Sequence, residues 1–331
     1  MSEKILITGG CGFIGSNFIN YLLTSEEVNT KPQIINIDKL TYAGKGKNIE
    51  HLGLDKHPNY KFIQGDIADK QFVEQVVSTE KPDMIFNFAA ESHVDRSIQS
   101  SEDFIITNVI GTSNLLDSAV KNNTGKFIQI STDEVYGSLK HGSFSEESIL
   151  NPSSPYSSSK AAAELIARSY YKTHNLPVII TRSANNYGPY QFPEKLLPLF
   201  ITNLIQGKKV PLMWSDENPG LNVRDWLHVE DNCRAIWFVS QKALPGEIYN
   251  ISGENERTNI EMTLNLLYHF GQSKDMIQKT LHRKAHDFRY SITNEKLNKL
   301  GFDYKHKNLF LELGLLVKWY KENQNWWNPL K

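Results

Sequence analysis

A short apolar run near the start of the chain leads directly into a glycine-rich loop. Residues 4–8 are typical of a buried parallel strand, glycines follow at positions 9, 10, 12 and 15, and apolar residues then recur at helical spacing up to Leu23. Positions without a side chain let the backbone turn sharply and approach a pyrophosphate, which sits at the N-terminus of the next helix. Because strand, glycines and helix occur in this order, the sequence predicts a dinucleotide site. The residues predicted to contact the dinucleotide here are Gly9, Gly12, Phe13, Ile14 and Gly15.

A second predicted strand, residues 33–38, ends in an acidic residue. Asp38 lies about 20 residues past the glycine loop, which is the spacing of the acid that binds the ribose of a dinucleotide. A carboxylate there accepts a hydrogen bond from the ribose 2'-hydroxyl and repels a 2'-phosphate, so Asp38 favours NAD over NADP. A solvated acid at a strand end is the alternative. The loop of residues 39–44 follows and is placed to close over the adenosine.

Five further apolar runs alternate with helical segments along the chain. They cover residues 60–64, 84–88, 127–132, 178–182 and 247–251. This alternation predicts an α/β fold with a Rossmann-type doubly wound parallel sheet. After residue 184 the chain becomes rich in prolines, aromatic residues and polar residues, which indicates a smaller C-terminal α/β lobe. We predict a dinucleotide-binding domain of residues 1–184 plus about 222–251, and a substrate lobe of about 185–221 plus 252–331.

Composition restricts the class of protein further. The 331 residues are 40% hydrophobic and 22% charged, as in ordinary soluble globular proteins, and the formal charge of −1 argues against broad nonspecific binding of nucleic acid. Two cysteines give no disulfide framework and suit a reducing cytoplasm. The apolar N-terminal stretch is interrupted by glycines and lacks a basic leader, so neither export nor a membrane segment is expected. No metal site is expected either.

The residues best equipped for chemistry lie at the end of the fifth predicted strand and just downstream of it. Thr132 ends this strand, and Asp133 and Glu134 follow it. In an open parallel sheet, ligands bind outside the carboxyl ends of the strands. Tyr156 and Lys160 lie four residues apart on the first turn of a predicted helix, so both point to one face. The sequence therefore predicts the active site at this strand end.

Tyr156 and Lys160 form a pair that can oxidise an alcohol. A phenol with its ordinary pKa of about 10 is a poor base at neutral pH, but a nearby ammonium and an oxidised nicotinamide both stabilise the phenolate. Tyr156 can then take a hydroxyl proton, Lys160 can hold the nicotinamide ribose, and Thr132 can hydrogen-bond the reacting oxygen. A Tyr–Lys pair on a helix surface is the alternative, but the glycine loop and Thr132 favour the catalytic interpretation.

Together these motifs resemble the extended short-chain dehydrogenase/reductase family, and within it most closely the dTDP-glucose 4,6-dehydratases. The resemblance covers nearly the whole chain. The segments that carry it are residues 9–15, 38 with 41–44, 89–97, 132–137, 156–160, 185–198, 224–226 and 286–290. It implies an NAD-containing lyase that converts dTDP-glucose to dTDP-4-keto-6-deoxyglucose and water. The implied steps are oxidation at C4, elimination of water across C5–C6 and return of the hydride to C6.

The adjacent carboxylates Asp133 and Glu134 favour dehydration over the related epimerase reaction. Sugar-nucleotide 4-epimerases of the same family need a Thr or Ser with the Tyr–Lys pair, and they lack this acid pair. Oxidation at C4 makes the C5 proton acidic, so a dehydratase also needs a base for that proton and an acid for the departing C6 hydroxyl. The resemblance implies that Glu134 is the base and Asp133 the acid. Solvated loop charges are the alternative interpretation.

The resemblance also implies a wider set of contacts to cofactor and substrate. Further cofactor contacts are Lys39, Leu40, Thr41, Asp66, Ile67, Ala89, Ala90, Ser92, Thr107, Tyr156, Lys160 and Asn186. Implied substrate contacts are His93, Thr132, Asn185, Lys195, Leu196, Pro211, Met213, Arg224, Asn259, His286, Asp287, Arg289 and Tyr290. From sequence alone, Asp66 is equally well explained as the cap of the next helix. The chain departs from the family in a longer loop at 214–220 and in Lys284-Ala285 in place of Pro-Gly, both near the nucleotide end.

The partner implied by the resemblance is a nucleotide-diphosphate hexose, and relatives commonly form homodimers. The candidate dimer helices are residues 108–121 and 156–174. The nearest alternative function is a 4,6-dehydratase of GDP-mannose or another NDP-hexose. A 4-epimerase is disfavoured by Asp133 and Glu134. A nucleotide-sensing protein without turnover is the alternative from another class, and it predicts damaged catalytic positions, which the sequence does not show.

Overall fold

A seven-stranded parallel sheet forms the centre of the protein. The computed structural model describes residues 2–44, 46–282 and 287–331. The sheet contains β1 (Lys4–Thr8), β2 (Gln33–Asp38), β3 (Tyr60–Gln64), β4 (Met84–Asn87), β5 (Lys126–Thr132), β6 (Val178–Ser183) and β10 (Ile248–Ile251) in the order β10-β6-β5-β4-β1-β2-β3. All neighbours pair in parallel. This architecture confirms the predicted fold class, and each strand lies within one residue of its prediction at either end.

The helices either cover the two faces of this sheet or pack in a second apolar core. They are α1 (Phe13–Thr24), α2 (Lys47–His51), α3 (Lys70–Glu80), α4 (Val94–Gln99), α5 (Glu102–Phe104), α6 (Thr112–Lys121), α7 (Pro155–His174), α8 (Leu196–Ile205), α9 (Val229–Lys242), α10 (Asn259–His269), α11 (Glu295–Leu300), α12 (Leu309–Glu322) and α13 (Gln324–Trp327). A π-helical segment, Ile105–Gly111, precedes α6, and a 3₁₀ turn, Asp133–Tyr136, follows β5. Among the described residues, no helix combines the length and apolarity that crossing a membrane requires.

Apolar side chains alternate between the two faces of the sheet because successive strand residues point in opposite directions. Ile5 and Ile128 pack on the side of α1 and α9. Leu6 and Phe127 pack on the side of α3, α6 and α7. Both faces are therefore buried, as expected for a parallel sheet. The order of the strands reverses at β1, whose neighbours are β2 and β4, so a crevice opens beyond the carboxyl ends of these strands.

Two small sheets lie beyond β6, and some of their residues line a cavity of the candidate active site. One contains β7 (Asn185–Tyr187), β9 (Val223–His228) and β11 (Glu256–Thr258), and the other contains β8 (Val210–Met213) and β12 (Ile277–Thr280). A separate apolar core, which includes Trp226, Leu266 and the buried Trp327, supports them. β9 pairs with β7 and β11, whereas the helix after it, α9, packs on α1. The predicted domain boundaries stay a prediction.

Candidate active site

The glycine loop after β1 packs so tightly that it has no room for side chains. Gly9 has φ +71°, and a Cβ atom there would lie 2.6 Å from the backbone nitrogen of Ala89. A Cβ atom at Gly15 would lie 2.4 Å from the carbonyl oxygen of Gly9. The loop can therefore rest against the end of β4 and start α1 only with glycine at these positions. The result is a backbone cradle beside the N-terminus of α1, which is suited to a pyrophosphate.

Most of the predicted cofactor contacts line one cavity above this cradle. They are Gly9, Gly12, Phe13, Ile14, Gly15, Asp38, Lys39, Thr41, Asp66, Ile67, Ala89, Ala90, Ser92, Thr107, Tyr156 and Lys160. Two predicted contacts do not line it. Leu40 instead packs against the apolar core through its side chain, and Asn186 lines the neighbouring cavity. The predicted contacts of these two residues with the cofactor stay predictions.

Asp38 is fixed at the edge of the cofactor cavity by backbone donors. Its carboxylate accepts from the N–H of Cys11 at 2.9 Å and from the N–H of Leu40 at 2.8 Å. Burial raises the pKa of Asp38 although both hydrogen bonds oppose that rise. Each carboxylate oxygen has a second lone pair, so the group retains the capacity to accept from a ribose hydroxyl.

Asp66 is not the cap of the following helix. The N-cap of α3 is Asp69, which accepts from the N–H groups of Gln71 and Phe72. Asp66 instead pairs with Lys39, whose Nζ lies 2.7 Å from its Oδ2, and both side chains border the cofactor cavity. The capping alternative is therefore wrong, and the predicted contact of Asp66 with the cofactor stays a prediction.

The predicted catalytic residues converge where β5 meets α7. Thr132 ends β5, and its hydroxyl donates to Asp133 Oδ1 at 3.1 Å and accepts from the N–H of Glu134 at 3.3 Å. A capping box at Ser154 and Pro155 at the first helical position start α7, so Tyr156 lies within its first turn. Thr132, Asp133, Glu134 and Tyr156 line a second cavity, and Tyr156 borders both cavities.

The environment of these groups sets their protonation. Burial, together with the charges of Glu134 and Asp133, raises the pKa of Tyr156, while a hydrogen bond with Thr132 opposes the rise. Burial lowers the pKa of Lys160 to about 8, against the influence of Glu164. The chain's own groups therefore leave the Tyr156 phenol protonated at neutral pH. The lower pKa expected of Tyr156 beside an oxidised nicotinamide stays a prediction.

Asp133 has the properties of an acid rather than a base. Its side chain is 2% exposed, and its Oδ2 has no hydrogen-bond partner among the described residues. Burial, reinforced by the negative charges of Glu134 and Asp225, raises the pKa of Asp133 well above its ordinary value. A carboxyl group that keeps its proton at neutral pH can donate it to a leaving group.

The second cavity also contains most of the predicted substrate contacts. His93, Thr132, Asn185, Lys195, Leu196, Pro211, Met213, Arg224, Asn259 and Tyr290 line it. The side-chain amide oxygens (Oδ1) of Asn185 and Asn259 and the Nδ1 of His93 are buried there without a hydrogen-bond partner among the described residues. Buried polar atoms are nearly always paired, so such atoms around one cavity indicate a polar ligand.

Three predicted substrate contacts are not placed in this cavity. Arg289 is held elsewhere, because its guanidinium forms two 2.7 Å hydrogen bonds with the carboxylate of Glu256. Asp287 accepts from Tyr290 at 2.5 Å, and its backbone carbonyl accepts from Arg224 at 3.0 Å, so it supports two cavity residues. His286 lies outside the described residues. The substrate contacts predicted for Asp287, Arg289 and His286 stay predictions.

The two cavities form one cleft with shared lining residues, and some of these were not predicted. Ser131 and Glu194 border both cavities. The Ser131 hydroxyl is buried without a hydrogen-bond partner among the described residues. Glu194 accepts from the Tyr42 hydroxyl at 2.8 Å and lies 3.4 Å from His93 Nε2. Glu194 therefore ties the loop after β2 to the substrate cavity, a long-range contact that no local sequence pattern signals.

A histidine pair outside the cleft resembles a metal site only in its composition. Ligand atoms of His228, His306 and Glu312 lie within 4.8 Å of one another. The two imidazole rings stack at 3.9 Å with an angle of 27°, so their in-plane lone pairs cannot converge well on one ion. The nitrogens of His306 lie 3.2 Å and 3.1 Å from Glu230 and Glu312. Burial lowers the pKa of His306, but these carboxylates outweigh it and raise that pKa overall, which fits an imidazolium.

Comparison with known proteins agrees with the geometry of the cleft. The chain matches the family model described as GDP-mannose 4,6 dehydratase over residues 6–312. It is 45% identical to the dTDP-glucose 4,6-dehydratase of Streptomyces antibioticus, covering 99% of this chain and 95% of that protein. The corresponding Escherichia coli enzyme is 40% identical, covering 98% and 95%.

Solved structures show the same similarity. A dTDP-glucose 4,6-dehydratase from Streptomyces venezuelae with NAD and thymidine diphosphate bound superposes with a TM-score of 0.94 at 45% identity, covering 99% of this chain and 100% of that one. The Bacillus anthracis enzyme in complex with NAD gives 0.89 at 48% identity, with both chains fully covered. A UDP-glucose 4-epimerase from Thermotoga maritima gives 0.87 at 28% identity, covering 97% and 99%.

Proposed function

The chain belongs to the GDP-mannose 4,6 dehydratase family, and we propose that within it the chain acts as a dTDP-glucose 4,6-dehydratase. It is an NAD-dependent hydro-lyase of nucleotide sugars that yields dTDP-4-keto-6-deoxyglucose and water. Relatives with this activity are 40–45% identical over nearly the whole chain. The observation that carries the reaction type is the acid pair Asp133–Glu134, which lies in one cavity with Thr132 and Tyr156.

The cofactor cavity fits NAD. The glycine cradle that a Cβ atom would fill suits the pyrophosphate, and the buried Asp38 carboxylate suits an unphosphorylated ribose. Tyr156 borders both cavities, so this one residue could act on a sugar in one cavity beside a dinucleotide in the other. When bound in this cavity, NAD would supply reversible hydride transfer, so the overall reaction would need no external oxidant or reductant.

Oxidation at C4 is assigned to Tyr156 with Thr132 and Lys160. Tyr156 would act as its phenolate, whose formation beside a bound oxidised nicotinamide is part of the proposal, and take the proton of the C4 hydroxyl while the hydride leaves the same carbon, which turns the C–OH group into a ketone. Thr132, at the end of β5, hydrogen-bonds the reacting oxygen. Lys160 borders the cofactor cavity and donates to the backbone carbonyl of Ile130 at 2.6 Å, and its ammonium would hold the nicotinamide ribose.

Elimination across C5–C6 is assigned to Glu134 and Asp133. The C4 ketone acidifies the C5 proton, which Glu134 removes as the general base. Asp133 gives its proton to the C6 hydroxyl, which leaves as water. The raised pKa of Asp133 supports this role because the group must still carry its proton at neutral pH. Hydride is then added at C6, and protonated Glu134 returns a proton to C5, which completes the product.

Binding of the nucleotide diphosphate is assigned to Arg224 in the second cavity. Arg224 is 7% exposed, and backbone carbonyls of Val223 and Asp287 orient its guanidinium at 2.6 Å and 3.0 Å. A fixed, buried guanidinium is suited to a diphosphate. Pro211 and Met213 line the same cavity from β8 and are assigned to the base.

Three alternatives are less well supported. Another NDP-hexose would need the same catalytic residues, but the curated relatives compared above act on dTDP-glucose. An epimerase shares the fold at 28% identity, yet it does not need the acid pair beside Thr132. A sensor without turnover has no use for a complete catalytic set.

Incubation of the purified protein with dTDP-glucose, UDP-glucose and GDP-mannose in parallel tests the proposal. We expect loss of one water, seen by mass, from dTDP-glucose at a rate that exceeds the other two by about tenfold or more. Preferential dehydration of another nucleotide sugar would transfer the substrate assignment to that sugar, and an unchanged mass in all three would contradict the dehydratase proposal.

A cytoplasmic homodimer is part of the proposal. Both predicted dimer segments expose apolar side chains: Ile110 in the π-helical segment before α6, and Leu165 and Tyr171 on α7. Exposed apolar residues on adjacent elements support an interface with a second copy of the chain. The free, buried cysteines Cys11 and Cys233 suit a reducing compartment.

A further inference from the structure

Arg182 is a fully buried charge that lies behind the active site and lines neither cavity. It is the fifth residue of β6 and is 1% exposed. Its guanidinium forms a two-point ion pair with Glu164, which is 0% exposed, through Nε and Nη2. A buried ion pair of this kind is weak evidence for stability, because two apolar residues would often do as well. The presence of the Arg182–Glu164 pair therefore calls for a reason other than stability.

The third donor of the same guanidinium reaches a different element. Arg182 Nη1 donates to the hydroxyl of Tyr136 at 2.6 Å, and that hydroxyl donates to Asn250 Oδ1 at 2.8 Å. The guanidinium also lies 4.7 Å from the centre of the Tyr136 ring. Arg182 thus binds Glu164 and Tyr136 through separate edges of one planar group, which a lysine ammonium cannot reproduce.

The two partners of Arg182 belong to the two elements that carry the catalytic residues. Glu164 follows Lys160 by four residues on α7, so the two lie on the same helix face. Tyr136 ends the 3₁₀ turn that begins with Asp133 and Glu134. None of Arg182, Glu164 and Tyr136 lines either cavity. The Arg182 side chain therefore connects the helix that carries the oxidation residues with the turn that carries the elimination residues, and it does not line the substrate cavity.

We propose that Arg182 is a positioning residue that holds the Asp133–Glu134 turn in register with the Tyr156–Lys160 helix. The inference rests on the proposed function, since both pairs must act on neighbouring carbons of one bound sugar. A displacement of about 1 Å between reacting groups can lower a reaction rate by about 100-fold. Arg182 fixes the distance between the two pairs without lining either cavity. Its hydrogen bond with Tyr136 positions the Asp133–Glu134 pair and not the Tyr156–Lys160 pair.

Tyr136→Phe is the sharpest test because it removes one hydroxyl and leaves the Arg182–Glu164 pair in place. The probe is dTDP-6-deoxyglucose, which can be oxidised at C4 but has no C6 hydroxyl to lose. The near-ultraviolet absorbance of reduced nicotinamide then reports the Tyr156–Lys160 pair. Incorporation of deuterium at C5 from D₂O, expressed per oxidised complex, reports the base Glu134. One compound thus separates the two functions.

We expect Tyr136→Phe to slow C5 exchange by about tenfold while C4 oxidation stays within about twofold of wild type. Arg182→Lys is expected to slow both. The matched control is Arg234→Lys, since Arg234 is also an ion-paired arginine, with Glu27 and Asp231 as its partners, but lies on α9 at the other face of the sheet. The control should change neither rate. NAD content and melting temperature of each variant are measured alongside.

Unchanged C5 exchange in Tyr136→Phe would overturn the inference, as would equal slowing of both reactions, because either result leaves Tyr136 without a specific effect on the elimination pair. If Arg182→Lys fails to fold, Tyr136→Phe still decides. The wild type is first tested with dTDP-glucose. An inert wild type contradicts the proposed function, whereas an active wild type with an unaffected Tyr136→Phe variant contradicts only the role of Arg182.

Discussion

Lys160 donates a hydrogen bond to the backbone carbonyl of Ile130, with an Nζ–O distance of 2.6 Å. This bond joins α7 to β5 two residues before Thr132, so the helix that carries Tyr156 cannot slide along the strand without breaking it. The ammonium is buried to make this contact, and burial lowers its pKa to about 8. One interaction thus sets both the geometry and the charge of the oxidation site.

The depressed pKa of Lys160 predicts a specific pH dependence of stability. Its ordinary value is 10.5 and its folded value about 8, so between these values the unfolded chain binds more protons than the folded one. The contribution of Lys160 to the free energy of unfolding therefore becomes more favourable as pH rises through that window, by at most about 3 kcal/mol. Denaturant unfolding of the cofactor-free proteins should show that the free energy of unfolding of wild type rises with pH relative to that of Lys160→Met. A constant difference from pH 7 to 10 would contradict the shift.

Glu134→Gln should separate oxidation from elimination. The amide cannot remove the C5 proton, so dehydration of dTDP-glucose should slow by about 100-fold or more, the scale of a lost general base. Oxidation at C4 should persist, and reduced nicotinamide should accumulate on the enzyme. The matched control is Glu147→Gln, which changes an exposed glutamate and should behave as wild type. Loss of C4 oxidation in Glu134→Gln would place Glu134 in the first step instead.

Gly9→Ala should abolish NAD binding and lower the free energy of unfolding only modestly. The new Cβ atom would meet the Ala89 backbone at 2.6 Å, and φ is +71°. Gly53→Ala is the control, because φ is +68° there but no heavy atom lies within 4 Å of the position that the new methyl group would take. Both substitutions cost roughly 1–2 kcal/mol for the left-handed backbone. Only Gly9→Ala should lose bound NAD, as measured by release of nucleotide from the denatured protein.

Ile110→Glu should disrupt the proposed homodimer. Ile110 is 48% exposed beside the apolar surface of α7, and a carboxylate there would have to be desolvated in an interface. Sedimentation should show a dimer for wild type and a monomer for the variant. Ile149→Glu changes an 86% exposed isoleucine away from these helices and should remain dimeric. A monomeric wild type at micromolar protein would refute the interface.

The sheet and the catalytic residues could be predicted because their signals are local. Apolar runs such as 33–38, which ends in Asp38, specify both a buried strand and the residue at its end. The NAD cofactor, predicted from the glycine loop and Asp38, is confirmed by relatives solved with NAD. The roles of the individual site residues stay predictions.

What the sequence could not show depends on contacts between distant residues. Arg289 is held by Glu256, 33 residues away, and nothing near either residue signals the pair. Arg182 and Tyr136 are 46 residues apart, and each alone resembles an ordinary strand or turn residue. Leu40 lies between Lys39 and Thr41, which both line the cofactor cavity, yet its own side chain packs against the core. Tertiary packing decides such positions, and local pattern does not.

In the proposed reaction, one site moves a hydride from C4 to C6 while Glu134 and Asp133 eliminate water between these steps. The most direct measurement uses dTDP-glucose deuterated at C4, without added NAD. Mass analysis of the product with its fragments should show loss of one water and the deuterium retained at C6. A product that has lost water but carries no deuterium at C6, or one that keeps its water, would contradict the account.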